Sequence, residues 1–191
     1  MYSLKQAEAF VAPKLTEARM THTLGVVETA VELAERYSED KDKTAFAAML
    51  HDCAKCIPPD EQKQYMLDHN IGHDLLHFHH NTWHAVVGAD LVRTQFAIED
   101  DRVLYAIRYH TTGRQGMTTL EKIIFLADYI EPNRKFDGVD DVRDLAEKSL
   151  DAAIIKAMAN TITMLVNTHQ TVVPDTFFAY NDVLFQRKSK V

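Results

Sequence analysis

An all-α, single-domain helical bundle is the fold class that this sequence predicts, on three observations. Apolar residues recur at spacings of three and four along nearly every segment, which places them on one face of a 3.6-residue helix. Strand-like alternation of apolar and polar residues is lacking, and so are repeats, low-complexity tracts and a linker that would divide the chain. Prolines, polar loops and capping residues fall between the periodic segments, where helices start and stop. With 191 residues the chain is one domain by length and buries a sizeable core without disulfides. The domain is expected to cover 1–191, with motifs across 19–144 and C-terminal helices at about 149–186.

Residues 3–11 place Leu4, Ala7, Phe10 and Val11 on one face, and Pro13 follows. The spacing predicts a long helix over 16–37 whose core stripe is Leu24, Val27, Val31 and Ala34, with His22 near its edge. The stretch SEDKDK, 38–43, reads as a polar loop, and 43–54 as a helix that carries Phe46, Met49 and Leu50 and ends in His51 and Asp52. Ala45, Ala47 and Ala48 let neighbouring helices come close. Pro58, Pro59 and Asp60 start a helix that reaches Leu67. The histidine-rich stretch 73–83 reads as mostly solvated loop. His84 opens the helix HAVVGADLVRTQF with its ring free to point inward.

Asp100 and Asp101 cap DRVLYAIRYH, with His110 in its last turn. Thr118, followed three residues later by Glu121, is a capping box that opens LEKIIFLADYI. Asp128 lies inside this strongly apolar helix, so burial would demand a cationic partner. Pro132 closes it. A shorter and a longer helix follow, and Pro174 starts a last one through Phe185; the RKSK tail is expected to fray.

Composition narrows the function. The 46% apolar and 26% charged content is that of a soluble globular protein, and the formal charge of -7 argues against general binding to DNA, RNA or anionic membranes. No apolar stretch has membrane-spanning length and the N-terminus lacks signal-peptide regions, so a cytoplasmic protein is expected. A small anionic substrate held by local cations stays open. Cys53 and Cys56 form a CxxC, but a redox role expects a βαβ context and structural zinc four ligands, so both are read as reduced thiols.

The adjacent His51 and Asp52 offer one neutral and one anionic ligand, a combination suited to iron, manganese or zinc. Two ligands do not hold a metal, so others must converge from elsewhere; His22, His84, His110 and Asp128, each near an apolar helical run, are the candidates. A lone histidine is more often a hydrogen-bonded core or surface residue, and it is the ordered set that points to a metal.

That order resembles the HD-domain metal-dependent phosphohydrolases, and RMTHTLGVVETA, MLHDCAKCIP, WHAVVGA and YHTTGRQGMTTLEKIIFLADYIEPNRKFDGVDDVRDLA are similar to the YqeK type, the symmetrical dinucleoside tetraphosphatases. The resemblance implies that His22, His51, Asp52 and Asp128 ligate one metal, with Asp52 bridging to a second held by His84 and His110. Iron is the implied metal, in a dinuclear site, with manganese or another divalent ion open. The implied reaction is cleavage of diadenosine tetraphosphate to two ADP. Asp52 and Lys55 would then be catalytic, and Lys55, Thr111, Thr112, Gly113 and Arg134 would bind substrate, with Arg19 and Arg114 weaker candidates for the same role. Each has a plainer reading: a solvated cation for the lysine and arginines, and a helix end for Thr111 to Gly113. Other readings are hydrolysis of another nucleotide or an alarmone, oxygenase chemistry at an iron pair, or non-catalytic nucleotide sensing. The partner expected is a dinucleoside polyphosphate, and a homodimer stays open.

Overall fold

The computed structural model describes residues 3–188, and among them every regular element is helical. In chain order these are α1 (Leu4–Val11), α2 (Glu17–Arg36), α3 (Lys41–Leu50), α4 (Pro59–Asp68), α5 (Trp83–Phe96), α6 (Asp101–Arg108), α7 (Thr119–Ile130), α8 (Val139–Ala146), α9 (Leu150–Asn167) and α10 (Pro174–Lys188). Two short 3-10 turns, His73–His77 and His80–Thr82, lie between α4 and α5. Of the RKSK tail, Arg187 and Lys188 continue α10, and the rest lies outside the described residues. No described helix is long and apolar enough to cross a membrane.

Helix α7 is the centre of the bundle. Leu120 and Ile123 to Ala127 are all buried, and α2, α3, α6, α8 and α9 pack around it. Its start is fixed as the sequence predicts: the Thr118 hydroxyl accepts from the Glu121 backbone N–H while the Glu121 carboxylate accepts from the Thr118 N–H. The core that it shares with Phe46, Met49, Leu50, Leu104, Ile107, Ile154 and Met158 is closely packed, so truncating Ile123 or Leu126 to Ala costs about 2–5 kcal/mol. A smaller cluster of Met66, Leu75, Val86, Val87 and Val173 joins α4, the 3-10 turns and α5.

The structure corrects three boundaries and one face. The predicted loop 38–43 is shorter, because Asp40 caps α3 by accepting from the Lys43 N–H, so the helix starts at Lys41. It also stops earlier: Cys53 N–H bonds Leu50 O and Lys55 N–H bonds Asp52 O, three-residue turns that carry His51 and Asp52 out of the helix. His110 likewise follows α6 rather than ending it. On α2 the predicted stripe is rotated. Leu24 is 47% exposed, and the buried face is His22, Thr23, Gly25, Val26, Ala30, Leu33 and Ala34. Its smaller residues admit α3 and α7 at close range, which outweighs the greater apolar area of Leu24, and the rotation turns His22 inward.

Candidate metal centre

Five helix ends or turns deliver six side chains to one place. His22 comes from the second turn of α2, His51 and Asp52 from the turn after α3, His84 from the first turn of α5, His110 from the turn after α6 and Asp128 from the last turn of α7. All four histidines and Asp52 are buried. The two Asp52 oxygens face different neighbours. Oδ2 lies 3.7 Å from His22 Nε2 and 3.6 Å from His51 Nε2, whereas Oδ1 lies 3.0 Å from His84 Nε2 and 3.6 Å from His110 Nε2. Asp128 Oδ1 is 3.1 Å from His22 Nε2 and 4.0 Å from His51 Nε2.

Hydrogen bonds on the far side of each ring fix its orientation. The Nδ1–H of His51 donates to Ala48 O at 2.6 Å, and that of His110 to Ile107 O at 2.7 Å. His22 Nδ1 lies 3.1 Å from Glu131 Oε1. A carbonyl can only accept, so in His51 and His110 the proton sits on Nδ1 and the Nε2 lone pair faces the cluster, which is how metal-binding histidines are prepared, and the Glu131 carboxylate favours a proton on Nδ1 of His22 in the same way. The Nε2 atoms of His22 and His51 are buried without a hydrogen-bond partner. A buried nitrogen left unpaired is costly, and a cation in the cluster would satisfy both. Among the described residues two groups have donor atoms close enough to share an ion, His22 with His51 and Asp128, and His51 with Asp52 and His110. His84 differs: Lys55 Nζ lies 3.4 Å from its Nδ1, and its Nε2 is 3.1 Å from His110 Nε2. The ammonium donates to Nδ1, so the His84 proton sits on Nε2, between Asp52 and His110.

Electrostatics favours charged carboxylates and, at His51 and His84, neutral imidazoles. Burial pushes the Asp52 pKa up, but His51 and the rings of His110 and His84 outweigh it and hold the carboxyl well below its usual range. Asp128 is also held low, with burial opposed by His22, His51 and Arg134. Burial lowers His51 and brings His84 to about 4, so both are neutral near pH 7. His22 is raised despite its burial, because Asp128 and Glu131 both face it. Burial lowers Lys55, with Asp52 opposing.

The cluster opens into a cavity of about 1010 Å³ lined by His110, Thr111, Thr112, Asp128, Tyr129, Arg134 and Phe136, with α9 and 170–176 beyond. Arg134 Nη2 donates to Asp128 Oδ1 at 2.6 Å, a cationic partner for this half-buried carboxylate. Arg19 Nη1 donates to Asp52 Oδ2 at 2.9 Å. Thr111 and Thr112 line the cavity, whereas Gly113 does not: it turns the chain at φ +66 behind Met158 and Ala179, where a Cβ would meet Met158 Cε at 2.5 Å. Arg114 points elsewhere, bonded through two nitrogens to Glu121 at 2.6 and 2.8 Å. Cys53 is buried, with its thiol pushed up to about 12 by burial, Cys56 is exposed, and neither belongs to the cluster.

Sequence reasoning missed Glu131, Asn133 and Arg143. Arg143 donates to the carbonyls of Ile130, Glu131 and Arg134 and so clamps the turn that carries Arg134. The available signal was the placement of Glu131 directly before Pro132, after a run of buried apolar residues.

A helical bundle that converges four histidines and two aspartates on one buried cluster defines a class, the proteins of His/Asp metal centres, and residues 19–133 match the family model described as HD domain. The chain is 50% identical over 177 residues, 93% of its length and 95% of the relative's, to the symmetrical bis(5'-nucleosyl)-tetraphosphatase of Bacillus subtilis (strain 168). It is 47% identical over 183 residues to the protein of the same name from Halalkalibacterium halodurans, covering 96% of this chain and 98% of that one. A crystal structure of a predicted HD superfamily hydrolase involved in NAD metabolism, from Clostridium acetobutylicum, superposes with a TM-score of 0.90 at 36% identity, covering 97% of this chain and 99% of that one. The chain belongs to the HD-domain family and, within it, to the symmetrical bis(5'-nucleosyl)-tetraphosphatases.

Proposed function

We propose that this protein is a metal-dependent hydrolase that cleaves diadenosine tetraphosphate symmetrically into two ADP. The observation that carries the reading is Asp52, one buried carboxylate whose two oxygens face separate sets of imidazole nitrogens, in a cluster that opens through His110 and Asp128 into a cavity walled by Arg134 and by aromatic rings. The tetraphosphatases among its relatives support the substrate.

In this reading His22, His51, Asp52 and Asp128 hold one ion, and Asp52, His84 and His110 a second. The mixed nitrogen and carboxylate donors suit iron, with manganese as the substitute. Bound there, a divalent ion supplies Lewis acidity toward phosphoryl oxygens and acidifies water near neutral pH. The reaction adds water across the central anhydride: an oxygen from water bonds to one inner phosphorus, the bond from that phosphorus to the central oxygen breaks, and each half leaves as ADP. Arg134 spends its Nε–H on the Asp128 carbonyl and one Nη2 N–H on the Asp128 carboxylate, Arg19 spends one Nη1 N–H on Asp52, and the donors left on each guanidinium serve the inner phosphates. Lys55 adds a third cation on the His84 side. The Thr111 and Thr112 hydroxyls line the path of the phosphate chain, and Tyr129 and Phe136 offer apolar surface to a nucleoside.

A second reading rests on the Lys55 contact. With its proton on Nε2, His84 is prepared to donate a hydrogen bond rather than to ligate, which leaves one ion on His22, His51, Asp52 and Asp128 and makes His84 a phosphate donor. Metal content separates the readings, two ions per chain against one. The products test the reaction: iron-loaded protein is expected to give ADP alone at early times, resolved chromatographically, and a chelator to stop it. ATP with AMP would refute symmetrical cleavage. Tight binding without turnover under any divalent metal would make the protein a sensor.

A further inference from the structure

Glu131 sits behind the cluster, and three neighbours hold it there. Its side chain is buried, immediately after α7, with Oε1 on His22 Nδ1 at 3.1 Å. Oε2 accepts the Asn133 backbone N–H at 2.7 Å and the Asn133 amide at 3.1 Å. The third neighbour is a missing side chain. A Cβ at Gly25, one helical turn after His22 on α2, would stand 2.8 Å from Glu131 Oε2, inside contact distance, so any side chain at residue 25 would push the carboxylate away from its place. Its dihedrals need no glycine: it lies within the helix, where Ala is the better former. The space is therefore the reason for it.

We propose that Glu131 is a positioning residue that sets the affinity of the His22 site for a divalent ion, and that Gly25 is the gap that lets it reach the imidazole. By accepting the Nδ1–H, the carboxylate fixes the tautomer that presents Nε2, stops the ring from rotating and makes Nε2 a stronger donor. His51 and His110 receive the same service from backbone carbonyls, which no substitution can remove. His22 depends on a side chain, so its grip on the ion is the adjustable one. The proposal rests on the reading of His22 as a ligand.

The test is Co²⁺ titration of chelator-stripped protein, read by competition with a fluorescent chelator and by the visible absorption of bound Co²⁺, with thermal melts of the metal-free forms alongside. Glu131→Gln, which keeps the shape and removes the charge, is expected to weaken Co²⁺ binding by about 10–100-fold. Gly25→Ala, which touches no ligand, is expected to weaken it in the same direction by displacing the carboxylate and to change the Co²⁺ spectrum, while the metal-free protein melts at the temperature of the wild type. Wild-type affinity in both variants would overturn the proposal. So would a loss of affinity matched by an equal loss of metal-free stability, which is the signature of a merely structural role. Wild-type protein that took up no Co²⁺ would overturn the metal-centre reading beneath it as well.

Discussion

Two regions of the molecule are rich in histidine, and they do opposite things. Between His69 and His80 five imidazoles crowd into twelve residues, all of them exposed. His69 pairs with Asp90 and stacks on Tyr65, His79 stacks on His80, and none belongs to a group that could share an ion. His22, His51, His84 and His110 are spread over 89 positions, yet every one is buried and they meet around one carboxylate. Density along the chain is thus the wrong guide to a metal centre. An exposed imidazole is satisfied by water and costs nothing, whereas a buried one must be tied on one nitrogen and finds a use on the other.

The comparison breaks most visibly at Asp52, the one carboxylate common to both halves of the cluster. Asp52→Asn keeps the volume and removes the charge, so we expect metal content and turnover to collapse together, activity by at least about a thousandfold as for loss of a metal ligand in a catalytic site, while the far-UV circular dichroism stays helical. A purified variant that kept both metal and activity would show that Asp52 does not bridge.

An intermediate effect is expected at Lys55, which touches the cluster through His84 without being a ligand. In Lys55→Met the apolar stem remains. Metal content should be normal and kcat/KM for diadenosine tetraphosphate should fall by about one to three powers of ten, the range for one charged hydrogen-bonding group. Unchanged kinetics would make Lys55 a surface cation.

The smallest effect belongs to the histidine-rich stretch. His73 and His77 are exposed and do not line the cavity beside the cluster. The double variant His73→Gln, His77→Gln should retain metal content and kcat/KM within about twofold, as for surface substitutions generally. A large loss of metal would return this stretch to the site and undo the contrast.

How much of this was legible in the sequence follows the range of the interactions. Local signals carried: the Thr118 to Glu121 capping box, the Pro59 helix start and the half-buried Asp128, whose cationic partner is Arg134, all depend on residues a few positions apart. The resemblance carried the six cluster residues, which the fold brings together. What failed was the side of α2 that faces the core. Apolar area alone favours the stripe through Leu24, and only the close approach of α3 and α7, a long-range fact, favours the smaller residues beside His22. Gly113 read equally well as a substrate contact or a helix end, and the positive φ and the nearness of Met158 account for the glycine by long-range packing that the sequence does not show. Glu131 stayed hidden because its partners, His22 and Gly25, stand more than a hundred positions away.

The position of the metal is the most direct test of the site. Crystals of protein purified without chelator, with anomalous scattering measured at the iron edge, would locate it directly. We expect a strong peak among His22, His51, Asp52 and Asp128 at about 2.0–2.3 Å from their donor atoms, the usual metal-to-ligand range. A cluster without a peak, in protein that carries iron elsewhere, would contradict the account.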